Sequence, residues 1–192
     1  MKVIVSLFLF YFICFAAIAQ QPDGLTIGST APDFTLNDQS GKPFNLKEKN
    51  KNKTVILIFY RGQWCPYCNK QIKGLQDSMQ LIVDKGATVI AVTPEVAENV
   101  LKTVEKTKAT FPVLSDDNLK VMNAYKVAFT VDSGTVERYK KYGIQFDKAN
   151  GTNGANLPVP AVYVIKNGKI TWRYFDADYR KRPTVNQILA QL

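Results

Sequence analysis

The stretch Thr54-Val55-Ile56-Leu57-Ile58-Phe59-Tyr60-Arg61-Gly62-Gln63-Trp64-Cys65-Pro66-Tyr67-Cys68 decides how this chain is read. Thr54 to Tyr60 is an unbroken run of β-branched and aromatic residues, which predicts a strand buried on both faces. Arg61-Gly62 ends the run. Pro66 suits the first helical position, where its missing N–H costs nothing. Ile72, Leu75, Met79 and Ile82 then recur at helical spacing up to Gly86. The two cysteines therefore fall at a strand-to-helix turn, with Cys65 at the helix N-terminus.

At that position Cys65 faces unsatisfied backbone N–H groups and the positive end of the helix dipole, and both favour thiolate. The first cysteine of a Cys-x-x-Cys motif commonly has a pKa of about 3.5–7.5. Cys68, one turn later, is placed to attack a mixed disulfide or a sulfenic acid formed on Cys65. Arg61 lies just upstream and adds positive potential, and Trp64 is expected to shield one side of the sulfur. The alternative, half of a zinc site, lacks partners: the chain has no histidine, so only carboxylates are left to complete it. The same absence excludes a Ser-His-Asp triad and a Cys-His pair.

The third cysteine, Cys14, belongs to a segment read as a secretory signal. Lys2 precedes the apolar run from Val3 to Phe15, and Ala17-Ile18-Ala19 has the small-x-small pattern of a cleavage site. The run is short for a membrane span of about 20 residues, which argues against an uncleaved anchor. Bulky Tyr11, Phe12 and Ile13 argue against a lipid-bearing Cys14. The expected division is a signal peptide over 1–19 and one domain over 20–192, exported, and periplasmic in a bacterium. No stable membrane insertion is expected after cleavage. A lone close cysteine pair in an oxidising compartment reads as a working couple rather than a staple.

Composition bounds the rest. The 192 residues are 46% hydrophobic and 21% charged, enough for one core. Net charge is +9, one less without Lys2. It is spread over Lys42 to Lys53, Arg138 to Lys141 and Lys166 to Arg182, which reads as a solvated basic surface; no nucleic-acid motif accompanies it. No flavin, nicotinamide or haem motif is evident, so no bound cofactor is expected.

Working outward, Ile27 to Leu36 with a turn at Asp38 to Gly41 predicts an extended segment or hairpin, and Lys47 to Lys53 reads as a loop. Ala87 to Thr93 is a second buried strand. Val96, Val100, Leu101 and Val104 mark one helix face, and Phe111 to Leu114 is a short strand. Asp116 or Asp117 caps a helix through Leu119, Met122 and Tyr125. Val131 to Gly143 predicts a further helix, and Ala149 to Pro158 reads as turn or loop. Ala161 to Ile165 and Lys169 to Phe175 are strands joined by Asn167-Gly168, a hairpin signal. Val185, Ile188, Leu189 and Leu192 mark a closing helix. The sum is α/β: a central mixed sheet flanked by helices, with an insertion before the last hairpin. This is the thioredoxin-like layout. In that layout a proline entering the strand that faces the cysteines is cis, so Pro160 is expected to be cis and to help form a substrate groove.

Four blocks carry a family resemblance: Gly28-x-x-Ala31-Pro32-Asp33-Phe34-x-Leu36; Phe59-Tyr60-Arg61-Gly62-x-Trp64-Cys65-Pro66-Tyr67-Cys68-Asn69; Phe111-Pro112-Val113-Leu114-Ser115-Asp116; and Leu157-Pro158-Val159-Pro160-Ala161. With Asp176 to Arg182 they resemble the peroxiredoxin-like branch of the alkyl hydroperoxide reductase/thiol-specific antioxidant family, over residues 27 to 192. The resemblance implies peroxide reduction with electrons returned by thioredoxin or a similar dithiol donor, Cys65 being peroxidatic and Cys68 resolving. Two positions depart from that pattern. Gly62 stands where the family carries a threonine, and Pro160 where it commonly carries an arginine, leaving Arg61 or Arg173 as substitutes. Thioredoxin's own buried carboxylate, on the strand before the motif, is replaced by Phe59. Three functions stay open: a thiol peroxidase, a thiol–disulfide oxidoreductase acting on exported proteins, and a non-catalytic binding module.

Overall fold

The structure, a computed structural model, describes residues 22–51 and 53–192. The expected signal peptide, 1–19, lies outside the described residues. β1 (Thr35–Asn37) and β2 (Pro43–Asn45) form the expected hairpin, with Leu36 opposite Phe44. Its turn is closed by the Asp38 carboxylate, which accepts from the Ser40 and Lys42 N–H groups at 2.8 and 3.0 Å. The loop expected over 47–53 begins instead with a one-turn helix, α1 (Leu46–Lys49). Asn45 caps it by accepting from the Glu48 N–H at 2.9 Å, and the buried Leu46 anchors it.

β3 (Thr54–Phe59) is the centre of the molecule. Val55, Leu57 and Phe59 enter one apolar cluster, while Ile56, Ile58 and Tyr60 enter another on the opposite face, together with both cysteines. The two-residue period of a strand thus divides one apolar run between two cores. The helical pattern that follows is split into α2 (Pro66–Asp77) and α3 (Met79–Asp84) at Ser78, whose N–H is shared between the Gly74 and Leu75 carbonyls. Gly86, at φ +70°, ends it as expected.

β4 (Ala87–Thr93) runs parallel to β3, and after α4 (Ala97–Thr107) β5 (Val113–Ser115) runs parallel to β4. Leu101, expected on the buried face of α4, is 52% exposed, because Val100, Thr103 and Thr107 occupy that face and Leu101 lies one step around the helix. Asp116 caps α5 (Lys120–Ala124) from a buried position, accepting from the Val121 and Met122 N–H groups.

The insertion is more ordered than its sequence suggests. β6 (Ala128–Thr130) leads to α6 (Ser133–Lys141), which is capped by Asp132, and then to α7 (Phe146–Asn150). Part of the stretch expected as turn or loop is a strand, β7 (Asn156–Pro158), antiparallel to β6 with Phe129 opposite Leu157. The intervening turns are held by side chains from a distance. Asn153 donates to the Pro94 and Asp116 carbonyls, both at 2.8 Å, and Asn150 to Gly154 and Asn156. β8 (Ala161–Lys166) and β9 (Lys169–Phe175) complete the sheet, order β5-β4-β3-β8-β9, with β8 antiparallel to both neighbours. Asn167 and Gly168, both at positive φ, make the turn between them. α8 (Val185–Leu189) closes the chain with a capping box from Thr184 and Gln187.

Pro160 is a correction. Every peptide bond among the described residues is trans, including the one entering Pro160. The Val159 N–H donates to the Val127 carbonyl at 2.8 Å, so the pairing of β7 with β6 continues to the residue before the proline. An extended chain held this way passes into β8 with the isomer that is cheaper by about 0.5–1 kcal/mol. Among the described residues no helix is long and apolar enough to cross a membrane.

Candidate active site

β3 delivers the chain to the C-terminal edge of the sheet, where 61–65 turns into α2. Cys65 is the helix N-cap, with extended backbone (φ −87°, ψ 110°), and Pro66 takes the first helical position. The Cys65 Sγ accepts from the Cys68 N–H at 3.4 Å, so the helix end does point a backbone donor at this sulfur. The turn is pinned by the Cys65 N–H donating to the Gly62 carbonyl at 3.1 Å and by Asn69 Nδ2 donating to the Gln63 carbonyl at 2.8 Å.

Both cysteines are free thiols and both are buried, Cys65 1% and Cys68 0% exposed. They stand one helical turn apart, close enough that each shifts the other's ionisation. Burial opposes ionisation of Cys68, but the hydrogen bond from Cys65 and the charge of Arg182 outweigh it and bring this thiol down to about 6. The same shared hydrogen bond, with burial, pushes Cys65 up. The expected lowering of Cys65 is therefore not found: the lowered thiol is Cys68, because the Arg182 charge and the thiol neighbour act on that side.

Of the residues expected beside the pair, Trp64 packs against the cluster that contains both sulfurs, and its ring meets Tyr139 and Phe146 edge-on at 5.3 and 5.8 Å. Arg61 is 5% exposed. Its guanidinium lies 4.1 Å from the Tyr179 ring centre, 4.9 Å from Trp64 and 5.4 Å from Tyr139, and it donates to the Tyr139 hydroxyl. Arg61 contributes positive potential to Cys65, but less than the Cys68 amide does. Arg173 is engaged elsewhere: it donates to the Asp23 and Leu25 carbonyls and holds the N-terminal segment against β9. Pro160 lines a groove of about 370 Å³ with Arg61, Phe129, Tyr139, Val159 and Tyr179.

Two residues of the site were not picked out as such in the sequence. Arg182, from the segment before α8, donates through Nη2 to the Cys68 Sγ at 3.5 Å and is tied down by the Tyr179 and Lys181 carbonyls. Its block was visible as a family feature, with nothing to aim it at the sulfur. Glu95, just past β4, is fully buried, and its Oε2 accepts from the Gln63 N–H at 2.6 Å. Gly62 explains its own departure from the family pattern. At φ +156°, a Cβ on it would lie 2.5 Å from Trp64 Nε1 and 2.8 Å from Glu95 Oε1, so a threonine does not fit.

A mixed sheet carrying a dithiol at the N-terminus of the helix after its central strand defines a thioredoxin-fold protein. The chain belongs to the AhpC/TSA family, whose model matches residues 27–173. It is 37% identical over 103 residues to peroxiredoxin Q of Sedum lineare, covering 54% of this chain and 55% of that protein. It is 32% identical over 114 residues to the thiol-disulfide oxidoreductase ResA of Geobacillus thermodenitrificans, covering 59% and 64%. The chain thus spans between about half and two thirds of the length of these relatives. Peroxidoxin BcpB of Mycobacterium tuberculosis has the same fold, with a TM-score of 0.66 at 22% identity over 87% of this chain and 96% of that one. Reduced Prx3 of Vibrio vulnificus in complex with hydrogen peroxide has it too, with a TM-score of 0.69 at 19% identity over 88% and 99%.

Proposed function

We propose that this protein is a thiol peroxidase whose Cys65–Cys68 pair cycles between dithiol and disulfide and is recycled by thioredoxin or a similar dithiol donor. The observation that carries this reading is the enclosure of a readily ionised pair, with both sulfurs at most 1% exposed. Such a pair admits a small oxidant more easily than a protein disulfide, and recycling by a protein dithiol requires the disulfide form to expose a sulfur that the dithiol form buries.

The steps follow from the arrangement. The single charge of the pair is shared across the thiol hydrogen bond, so the proton passes to Cys68 as the Cys65 sulfur attacks a peroxide oxygen. The O–O bond breaks, the departing hydroxide or alkoxide takes the Cys68 proton and leaves as water or an alcohol, and Cys65 becomes a sulfenic acid. Cys68, now a thiolate, attacks the Cys65 sulfur; the S–O bond breaks, the departing hydroxide takes a proton from solvent, and a disulfide forms. Arg182 holds negative charge on Cys68 for this second attack.

A second reading, thiol–disulfide exchange with an exported protein, is favoured by Gly62, which leaves this turn without the hydroxyl expected of a peroxidase, and by the match to ResA. Export itself is proposed from residues 1–19; N-terminal sequencing of the secreted form should begin at Gln20, and an intact Met1 would refute it.

The deciding experiment mixes reduced protein rapidly with hydrogen peroxide while following tryptophan fluorescence, since Trp64 and Trp172 both pack against the cluster that holds the two cysteines. Oxidation far faster than a free-thiol control, and lost in Cys65→Ser, is the expected result. Oxidation no faster than the control, with rapid exchange against a protein disulfide, would replace the first reading by the second.

A further inference from the structure

Glu95 is a buried carboxyl that the steps above leave unused. It follows β4 at the sheet edge where α2 begins, and it is 0% exposed. One oxygen, Oε2, accepts from the Gln63 N–H, two residues before Cys65 in the chain. The other, Oε1, has no hydrogen-bond partner among the described residues, and neither has Trp64 Nε1. These two atoms converge on Gly62, the residue whose lack of a side chain leaves room for them.

The charged and titratable groups around Glu95 come from three elements. Cys68 on α2 adds negative charge when the pair is ionised, and Tyr60, at the end of β3, feels both Glu95 and Cys68. Lys102 and Lys106 on α4 provide the positive potential. Their ammonium groups are engaged by others: Lys102 donates to Asn99 Oδ1 at 2.8 Å, and Lys106 donates to the carbonyl and the side chain of Gln63. A carboxylate buried with one amide donor and no ammonium in contact is costly, and protonation relieves the cost. Burial accordingly pushes the Glu95 carboxyl up to about 8, against the pull of the Gln63 amide and with the charge of Cys68 adding to the rise.

We propose that Glu95 is a redox-linked proton carrier, which takes up a proton when the Cys65–Cys68 disulfide is reduced and releases it when the disulfide re-forms. The inference rests on the pair's being a redox couple. In the reducing direction a dithiol donor gives two electrons, the S–S bond breaks, and one proton is bound to leave a thiol and a thiolate. The donor is oxidised to its own disulfide and loses its two protons. The new thiolate charge raises the proton affinity of Glu95, so its carboxylate binds a further proton from solvent. When the disulfide re-forms, the charge disappears and that proton leaves. Glu95 thereby keeps buried negative charge near one unit in the reduced state, in which two neighbouring anions would repel each other in a low-dielectric setting. Its action is through the thiolate field, so it is a positioning residue for protons rather than a group that touches substrate.

The test equilibrates full-length wild type and Glu95→Gln against dithiol/disulfide buffers from pH 6 to 9 and reads the dithiol fraction by alkylation. The amide carbonyl introduced by this substitution can still accept from the Gln63 N–H. Referred to the buffer's own potential at each pH, because the buffer dithiol itself loses two protons, the variant's potential should fall by ~30 mV per pH unit, as expected of a two-electron couple that binds one proton. The wild-type potential should fall by up to a further ~30 mV per unit in the range where Glu95 titrates, because a second proton is bound there. Equal slopes in the two proteins, each still forming the disulfide, would overturn the proposal and leave the redox reading standing. Absence of a Cys65–Cys68 disulfide by mass spectrometry after oxidation would overturn both. If the variant does not fold, wild type alone decides: its reduced-minus-oxidised infrared spectrum at pH 7 should gain the carbonyl band of a protonated buried carboxyl. Asp116, also buried, is held by the Val121 and Met122 N–H groups. A difference spectrum without the band would overturn the proposal.

Discussion

Arg182 Nη2 donates to Cys68 Sγ at 3.5 Å across 114 residues of chain, and this contact joins the C-terminal segment to the second cysteine of the motif. The same segment carries Tyr179, whose ring lies 4.1 Å from the Arg61 guanidinium and meets Tyr67 edge-on at 5.9 Å. The segment before α8 is therefore part of the wall of the site, and its arginine sets where the pair keeps its charge.

Arg182→Gln should raise the first apparent pKa of the pair from about 6 by roughly 1–3 units, since an opposite charge at contact distance accounts for shifts of that size. Ultraviolet thiolate absorbance against pH reads it directly. Arg182→Lys should fall between. An unchanged titration in Arg182→Gln would show that the helix end and the Cys65 hydrogen bond suffice.

Cys65→Ser should abolish the fast reaction with peroxide, whereas Cys68→Ser should stop after the first step. A dimedone-type reagent and mass spectrometry should then find a stable sulfenic acid on Cys65 in the second variant, which has no thiol one turn along the helix to resolve it. Sulfenic acid on Cys68 in Cys65→Ser, with activity retained, would reverse the assignment of the two sulfurs.

Gly62→Thr should not improve peroxide reduction, although it restores the residue type the family pattern carries. Its Cβ would press on Trp64 Nε1 and Glu95 Oε1 at a backbone conformation that side chains rarely adopt. A loss of about 1–3 kcal/mol in urea denaturation is expected. A fully stable variant with faster oxidation would mean that the turn relaxes around the new side chain.

The Glu95 contribution to the stability of the reduced protein should fall as pH rises from about 5 to above 8, while the lowered Cys68 thiol adds stability between about 6 and 9. The Glu95 carboxyl is raised from an ordinary 4.5 to about 8, so across that window the folded state binds a proton that the unfolded chain does not. The stabilisation is fully present below 4.5 and is lost as pH climbs through 8, with a total on the order of a few kcal/mol. Between pH 6 and 8.5 the denaturation midpoint should rise more in Glu95→Gln than in wild type, by the Glu95 share. Equal differences in the two proteins would assign the effect to other groups.

Much of this architecture was legible in local sequence. A strand such as Thr54–Phe59 advertises itself through apolar continuity, a hairpin through Asn167-Gly168, and the reactive position of Cys65 through the strand, turn and proline around it. These features depend on neighbours within a few residues, and backbone preference acts at that range. The loop expected over 149–158 shows where such reading stops. Its order comes from Asn153 reaching the Pro94 and Asp116 carbonyls and from β7 pairing with β6, none of which leaves a periodic trace.

By itself, then, the sequence determined the order of the central elements, the placing of a cysteine pair at the first helix of the core, and the glycine in the turn before it. Tertiary structure alone decided which sulfur meets an arginine, and that a carboxyl from the end of the next strand stands beside the motif. The reason is physical. Capping, periodicity and turn chemistry are written in adjacent residues, whereas a shifted pKa is the sum of burial and of charges that only chain folding brings within reach of each other.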